Sequence, residues 1–252
     1  MKRFLSLLLV VAMIATCAIA FTSCGEEEEE TNKLTMATNA EFPPFEYVEN
    51  GEIVGADVEI AQAIAGKLGM ELEIINTDFD GALMGASTGK YDMAVAGITA
   101  NEDRKKNMNF SDSYYKASQA IIVMADSDIA TAADLKGKKV SCQEGTTGET
   151  FLIDEKYEIQ SYKTGAEAVA ALTAGKVDAV VIDNQVAIAL SEKQDGATKV
   201  LDEALTQEEY AIAFEKGDDE LTEKVNKALK ELKEEGKLAE IFEKYDLPYD
   251  AE

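Results

Sequence analysis

The chain has 252 residues, 49 of them acidic against 24 basic, and a formal net charge of −25. Such a balance argues against nucleic acid or anionic lipid as a direct partner. There is no histidine, and of three cysteines only Cys142 lies beyond residue 24. The commonest general base, an internal disulfide and a thiolate zinc site are therefore missing from most of the chain.

The first 23 residues read as an export signal: Lys2 and Arg3 precede an apolar stretch over residues 4–21 that ends in small residues. The stretch approaches the length of a membrane span, but "FTSCG" followed by five glutamates at 26–30 reads as a cleavage boundary. Ser23-Cys24-Gly25 resembles a bacterial lipobox, in which Cys24 is lipidated and becomes the mature N-terminus. Phe21 stands where such motifs usually carry leucine, Cys17 is an alternative, and a freely secreted protein without lipid is another reading. Residues 24–33 then form a solvated acidic tether. Without residues 1–23, 22 basic residues face 49 acidic ones and the net charge becomes −27.

From residue 34, "LTMATN" predicts a short strand, followed by a Pro-containing loop and a hairpin over "FEYVENGEIVG". "ADVEIAQAIAGKLG" places Val58, Ala61, Ile64 and Leu68 on one helical face and stops at Gly69. "ELEIINTD" alternates as a strand, "DGALMGASTGK" returns as a helix, and "YDMAVAGI" is an apolar run of strand length. A second round follows: strand "KKVSCQ", helix "TTGETFLIDEKY", strand "EIQSYK", helix "AEAVAALTAGK" and apolar strand "VDAVVIDN". The closing stretch, "DDELTEKVNKALKELKEEGKLAEIFEKY", has apolar residues at every third or fourth position and predicts helix. Strands alternating with helices imply parallel α/β sheets.

The two rounds echo each other. "GKYDMAVAG" at 89–97 aligns with "GKVDAVVID" at 175–183, which fits two related lobes. Asp183 then occupies the place of Gly97, each at the carboxyl end of its strand, where ligands of open α/β sheets bind.

Three Thr-x-x-Glu patterns, at Thr99, Thr146 and Thr164, predict capped helix starts whose free N–H groups favour carboxylates. The first would open a helix near residue 100, with Arg104 inside it. Arg104 is the only arginine beyond the leader, in a chain that otherwise uses lysine. A cation there opposes the helix dipole, so the fork geometry of a guanidinium facing a carboxylate is the expected reason for it. A surface salt bridge is the plainer reading. Asp183 follows "AVVI", so its carboxylate must be paired. It either caps the helix beginning near Gln185 or faces an ammonium. An anion-binding end on one lobe and an anionic group on the other would hold a zwitterion.

The segments "ATNAEFPPFEYVENGEIVGADVEIAQAIAGKLG", "DFDGAL", "GKYDMAVAGIT", "EDRKK", "FSDSYY", "DLKGKKV", "GTTGE" and "GKVDAVVID" occur in this order from about residue 34 to 247. With them the chain resembles the polar amino-acid-binding proteins of bacterial ABC importers, the extracellular solute-binding proteins of family 3. The resemblance implies a two-lobed α/β fold of the periplasmic-binding-protein type, each lobe a sheet flanked by helices. It implies lobe 1 at 34–115 and 211–252, lobe 2 at 116–210, and hinge crossings at 114–118 and 208–212. It also implies roles. Arg104, helped by Gly97 and Thr99, would clamp an α-carboxylate, Asp183 would meet an α-ammonium, and Thr146 and Thr147 would reach the carboxylate from the opposite wall. Phe42 and Phe79 would sandwich the ligand side chain, with Asn39 and Gln143 tuning its pocket. "GALMGAS" departs from the proline-containing helix usual after "DFDG".

The expected function is therefore not enzymatic. A monomeric lipoprotein on the outer face of the cell membrane captures a polar L-amino acid and passes it to the permease subunits of an ABC importer, without cofactor or metal. Relatives often carry Asp at the position of Asn39, so loss of that charge favours a glutamine-like ligand over arginine or lysine unless Glu41 points inward. An enzyme of the same fold, resembling a cyclohexadienyl dehydratase, would need a carboxylate acid or base, and Glu41 is the candidate. A ligand-sensing domain is the third class; no signalling segment after residue 252 suggests it.

Overall fold

The computed structural model describes residues 32–249, so the leader, Cys24 and the acidic tether up to residue 31 lie outside the described residues. Two five-stranded sheets carry the rest, each flanked by helices, in a two-lobed α/β arrangement. The first half contributes β1 (Lys33–Thr38), the small hairpin sheet β2 (Glu41–Phe42), β3 (Glu46–Glu49) and β4 (Glu52–Val54), then α1 (Ala56–Leu68), β5 (Glu71–Asn76), α2 (Phe79–Ser87), β6 (Met93–Ala94), α3 (Glu102–Lys105) and β7 (Met108–Phe110). Next come β8 (Tyr115–Ala117), β9 (Gln119–Met124), a short 3-10 turn at Ala132–Leu135, β10 (Lys139–Gln143), α4 (Thr147–Asp154), β11 (Glu158–Tyr162), α5 (Gly165–Thr173), β12 (Ala179–Asp183), α6 (Asn184–Glu192) and β13 (Thr198–Val200). β14 (Glu208–Tyr210), β15 (Ala213–Glu215), α7 (Asp219–Glu234) and α8 (Lys237–Lys244) complete the chain.

The sheets share one plan. Their strand orders are β5-β1-β6-β15-β7 and β11-β10-β12-β9-β13. In each, the first three strands are parallel and the last two alternate: β15 is antiparallel to β6 and β7, and β9 to β12 and β13. The sheets are thus mixed rather than all parallel as expected. The antiparallel strand of each enters directly from a two-stranded ribbon, β8 paired with β14, through which the chain passes between the sheets twice.

The Gly-Lys-x-Asp echo has a structural cause. Asp92 Oδ2 accepts from the backbone N–H and the hydroxyl of Thr35, and Asp178 Oδ2 accepts from the backbone N–H of Lys139. Each aspartate fastens the start of the neighbouring central strand. The expected strand over "YDMAVAGI" is shorter, because Gly97 turns left-handed at φ 53°. Beyond it, Ile98 and Thr99 pair with the ribbon instead: Ala211 N–H donates to the Ile98 carbonyl and Thr99 bridges Tyr210.

The helices bury the faces their periodicity predicts. In α1, Val58, Ile60, Ala61, Ile64 and Ala65 are buried and Leu68 partly so, each large aliphatic side chain contributing about 1.5–3 kcal/mol. Gly69 ends it in the left-handed conformation, its N–H returning to Ala65 and Gly66. The closing helical stretch is broken at Gly236, φ 76°, which lets Leu238, Ile241 and Phe242 of α8 turn onto the core. There Phe242 meets Tyr115 of the ribbon at 5.1 Å between ring centroids.

Candidate functional site

The carboxyl ends of β1, β6, β10 and β12 converge on one pocket. Its walls are Asn39, Phe42, Phe79, Gly97, Thr99, Arg104, Gln143, Thr146, Thr147 and Asp183, together with Glu46. All ten residues singled out from the sequence are brought together, and Glu46 is the addition. Glu41 is exposed on β2 and does not line the pocket.

On the first sheet's side, the helix that carries Arg104 begins later than expected. Its cap is Asn101, whose side chain accepts from the Arg104 N–H at 2.9 Å. Thr99 is freed from capping and donates its hydroxyl to Glu208 Oε2 at 2.5 Å. The Arg104 guanidinium reaches back to the Thr99 carbonyl at 2.9 Å and across to the Gly145 carbonyl at 3.1 Å, and lies 5.3 Å from the centre of the Phe79 ring. Burial lowers its pKa, opposed by the charges of Glu208, Asp183 and Asp80. Two of its five N–H donors are taken by these carbonyls, and the fork keeps others. Gly97 is required where it stands, since a Cβ there would lie 2.7 Å from Phe42 Cε1.

On the second sheet's side, Asp183 sits at the backbone cap of α6, but its side chain makes no cap hydrogen bond. It accepts instead from the Tyr210 hydroxyl at 2.5 Å, with Gln119 adding a second donor. Burial and the charge of Glu208 push its pKa up to about 7 against those two donors. Thr146 does cap its helix, accepting from Glu149 N–H, while its own hydroxyl donates to the Gln143 carbonyl. Thr147 donates to Glu208 Oε2 at 2.8 Å, so one carboxylate from the ribbon binds a hydroxyl of each wall.

The far end is built of amides and carboxyls. Asn39 Nδ2 donates to the Thr77 carbonyl, which turns its Oδ1 toward Gln143 Nε2 at 3.0 Å. Glu46 faces Phe42 across the β2–β3 pair and is fully buried. Behind it, Asp57 accepts from the Gly97 N–H at 2.8 Å and from the Tyr114 hydroxyl at 2.9 Å. Burial pushes Asp57 up to about 6 despite these donors, and burial beside Asp57 holds Glu46 well above the usual carboxyl range.

Glu46, Asp57, Glu208 and Tyr210 escape a reading by pattern. The hairpin "FEYVENGEIVG" is rich in glutamate and alternates like a solvated edge, so nothing local marks one of its carboxylates as buried. "FEY", a glutamate between two aromatics, is the available signal.

A larger groove lies beside the ribbon and α7. Its lining mixes Lys116, Lys230 and Lys233 with Asp112, Ser113 and Glu209, and it lacks the convergent buried donors and acceptors of the pocket, which is the better site.

Residues 34–248 match the model of the bacterial extracellular solute-binding proteins, family 3. An arginine-binding extracellular protein of Bacillus subtilis (strain 168) is 36% identical over 255 residues, covering 97% of this chain and 98% of that protein. A solved structure described as an ancestral arginine-binding protein bound to glutamine is 42% identical, with a TM-score of 0.81, covering 85% of this chain and 97% of that one. A structure of an ancestral arginine-binding protein bound to arginine matches with the same TM-score of 0.81 and 42% identity, covering 85% and 98%.

Proposed function

The chain belongs to the bacterial extracellular solute-binding proteins, family 3, and from that premise we propose that it captures a polar L-amino acid between its two sheets and delivers it to the membrane subunits of an ABC importer. Amino-acid binding outside the cytoplasm is the family's work, and the relatives are named as binding proteins rather than enzymes. In this reading lobe 1 comprises 34–115 and 211–252 and lobe 2 comprises 116–210. The ribbon of β8 and β14 is the hinge, and Cys24 carries a lipid that holds the protein at the membrane surface.

The observation that carries the reading is a guanidinium and a buried carboxylate in one pocket, neither consumed by its local helix. Arg104 retains donors after its two carbonyl contacts, and Asp183 leaves its helix uncapped to face the pocket. Arg104, with Gly97 and Thr99, takes the α-carboxylate, and Thr146 and Thr147 approach it from the second lobe. Asp183 takes the α-ammonium, Phe42 and Phe79 hold the side chain, and Asn39 and Gln143 meet its polar end. A ligand bound to both walls favours the closed lobes over the open ones. Glu41, the acid or base an enzyme reading relied on, is exposed outside the pocket, and the relatives are named as binding proteins rather than enzymes.

Thermal-shift screening of the purified protein against the twenty amino acids tests this. A ligand at a hundred times its Kd should add about 2.7 kcal/mol of stability. Polar L-amino acids should raise Tm and their D-forms should not. No shift with any of the twenty would overturn the reading.

A further inference from the structure

Glu208 of β14 is 7% exposed and does not line the pocket, yet its carboxylate gathers hydroxyls from both walls. Oε2 accepts from Thr99 at 2.5 Å and from Thr147 at 2.8 Å, and Oε1 accepts from Thr206 at 2.7 Å. A carboxylate can only accept, so all three hydroxyl protons point to it. Gln119 reinforces two of them from behind: its Nε2 donates to Thr147 Oγ1 at 3.2 Å and its backbone N–H to Thr206 Oγ1 at 2.8 Å. Neither pocket threonine is held back by its helix. α3 is capped by Asn101, and Thr147 follows the cap of α4, Thr146.

In the division into lobes given above, Thr99 belongs to one lobe and Thr147 to the other. Parting the lobes must therefore strip at least one hydroxyl from a buried carboxylate, and closing them returns it. No atom of a ligand takes part in that exchange. Two further bonds cross between the walls, Arg104 to the Gly145 carbonyl and Gln143 to Asn39, but they spend side chains proposed to hold the ligand. The Glu208 carboxylate lies outside that set.

We propose that Glu208 is a latch for the closed lobes, a positioning residue that acts through Thr99 and Thr147 to stabilise closure whether or not a ligand is bound. This rests on the two-lobed amino-acid-binding reading above and adds a conformational control to that site. Because the latch raises the population of the closed form itself, it tightens the binding of every ligand by the same factor and leaves their ranking unchanged.

Small-angle X-ray scattering of the purified protein without ligand tests the latch, and stopped-flow binding of L-arginine and L-glutamine tests its consequence. Glu208→Ala should have a larger ligand-free radius of gyration than the wild type. Each probe that binds should leave it about tenfold faster or more, by one common factor, and associate no more slowly. Thr147→Val, which removes one arm of the latch and serves if Glu208→Ala does not fold, should shift the radius in the same direction, and Thr147→Ser, which keeps the hydroxyl, should match the wild type. An unchanged ligand-free radius in Thr147→Val and Glu208→Ala would overturn the proposal. So would an equal shift in Thr147→Ser, which would trace the effect to packing, or clearly unequal factors for arginine and glutamine, which would place Glu208 in contact with the ligand. The scattering needs no ligand, so it separates failure of the latch from failure of the amino-acid-binding reading, which would show as binding of none of the twenty.

Discussion

Asp183 is a residue whose chemistry is set by what surrounds it rather than by its helix. A carboxyl ordinarily at 3.8 is raised to about 7 by burial and by Glu208. The native state therefore keeps this proton where the unfolded chain has lost it. Stability from this group is present at low pH and declines as pH rises from about 4 to about 7. Asp57, raised to about 6, and Glu46 act in the same direction. In the ligand-free protein, Asp183→Asn should flatten the fall in Tm over that range, because Tyr210 can still donate to the amide oxygen. An unchanged slope would show that Asp183 is not the titrating group. Arg104→Lys keeps the charge but cannot span the Thr99 and Gly145 carbonyls and a ligand carboxylate together. It should weaken amino-acid binding by about 1.5–3 kcal/mol, as measured by calorimetry. Equal affinity would remove the clamp role. Both residues were legible in the sequence by anomaly: one arginine among lysines, one aspartate closing an apolar strand. Glu46 was not, because its burial depends on Phe42 of β2 and Asp57 of α1, which its own strand does not reveal.

At the scale of elements, the repeated Gly-Lys-x-Asp corner sets the frame that holds the pocket. Asp92 and Asp178 each tie down the start of a central strand, far from the pocket end of that strand. Asp92→Ala should lower stability by about 1–2 kcal/mol, read as a shift in the urea midpoint, with ligand affinity unchanged. A loss of affinity without loss of stability would place Asp92 in the recognition machinery. The central strands and most helices followed from periodicity, since their burial faces repeat within one element. The short antiparallel strands did not. β15 is three residues long, and its place between β6 and β7 is set by a chain returning from the other sheet. The start of α3 was displaced for a related reason: Thr99 has a better partner in Glu208, more than a hundred residues away, than in its own helix.

At the scale of the molecule, the ribbon of β8 and β14 is bonded to both walls of the pocket. Glu208 joins Thr99 to Thr147 across it, and Tyr210 joins the ribbon to Asp183. Tyr210 also packs edge-on against Phe45 at 5.2 Å and beside Tyr115 at 5.8 Å. The strands proposed as the hinge thus contact the groups proposed to grip the ligand, which would couple occupancy to closure. The central claim is that both charges of an amino acid's backbone are gripped at once, by Arg104 and Asp183. Calorimetry of the wild-type protein with its tightest-binding L-amino acid, the decarboxylated amine and the deaminated acid tests it most directly. The account predicts that each truncated compound binds at least about a hundredfold more weakly than the amino acid, about 2.7 kcal/mol or more. Retention of near-full affinity by either compound would contradict it.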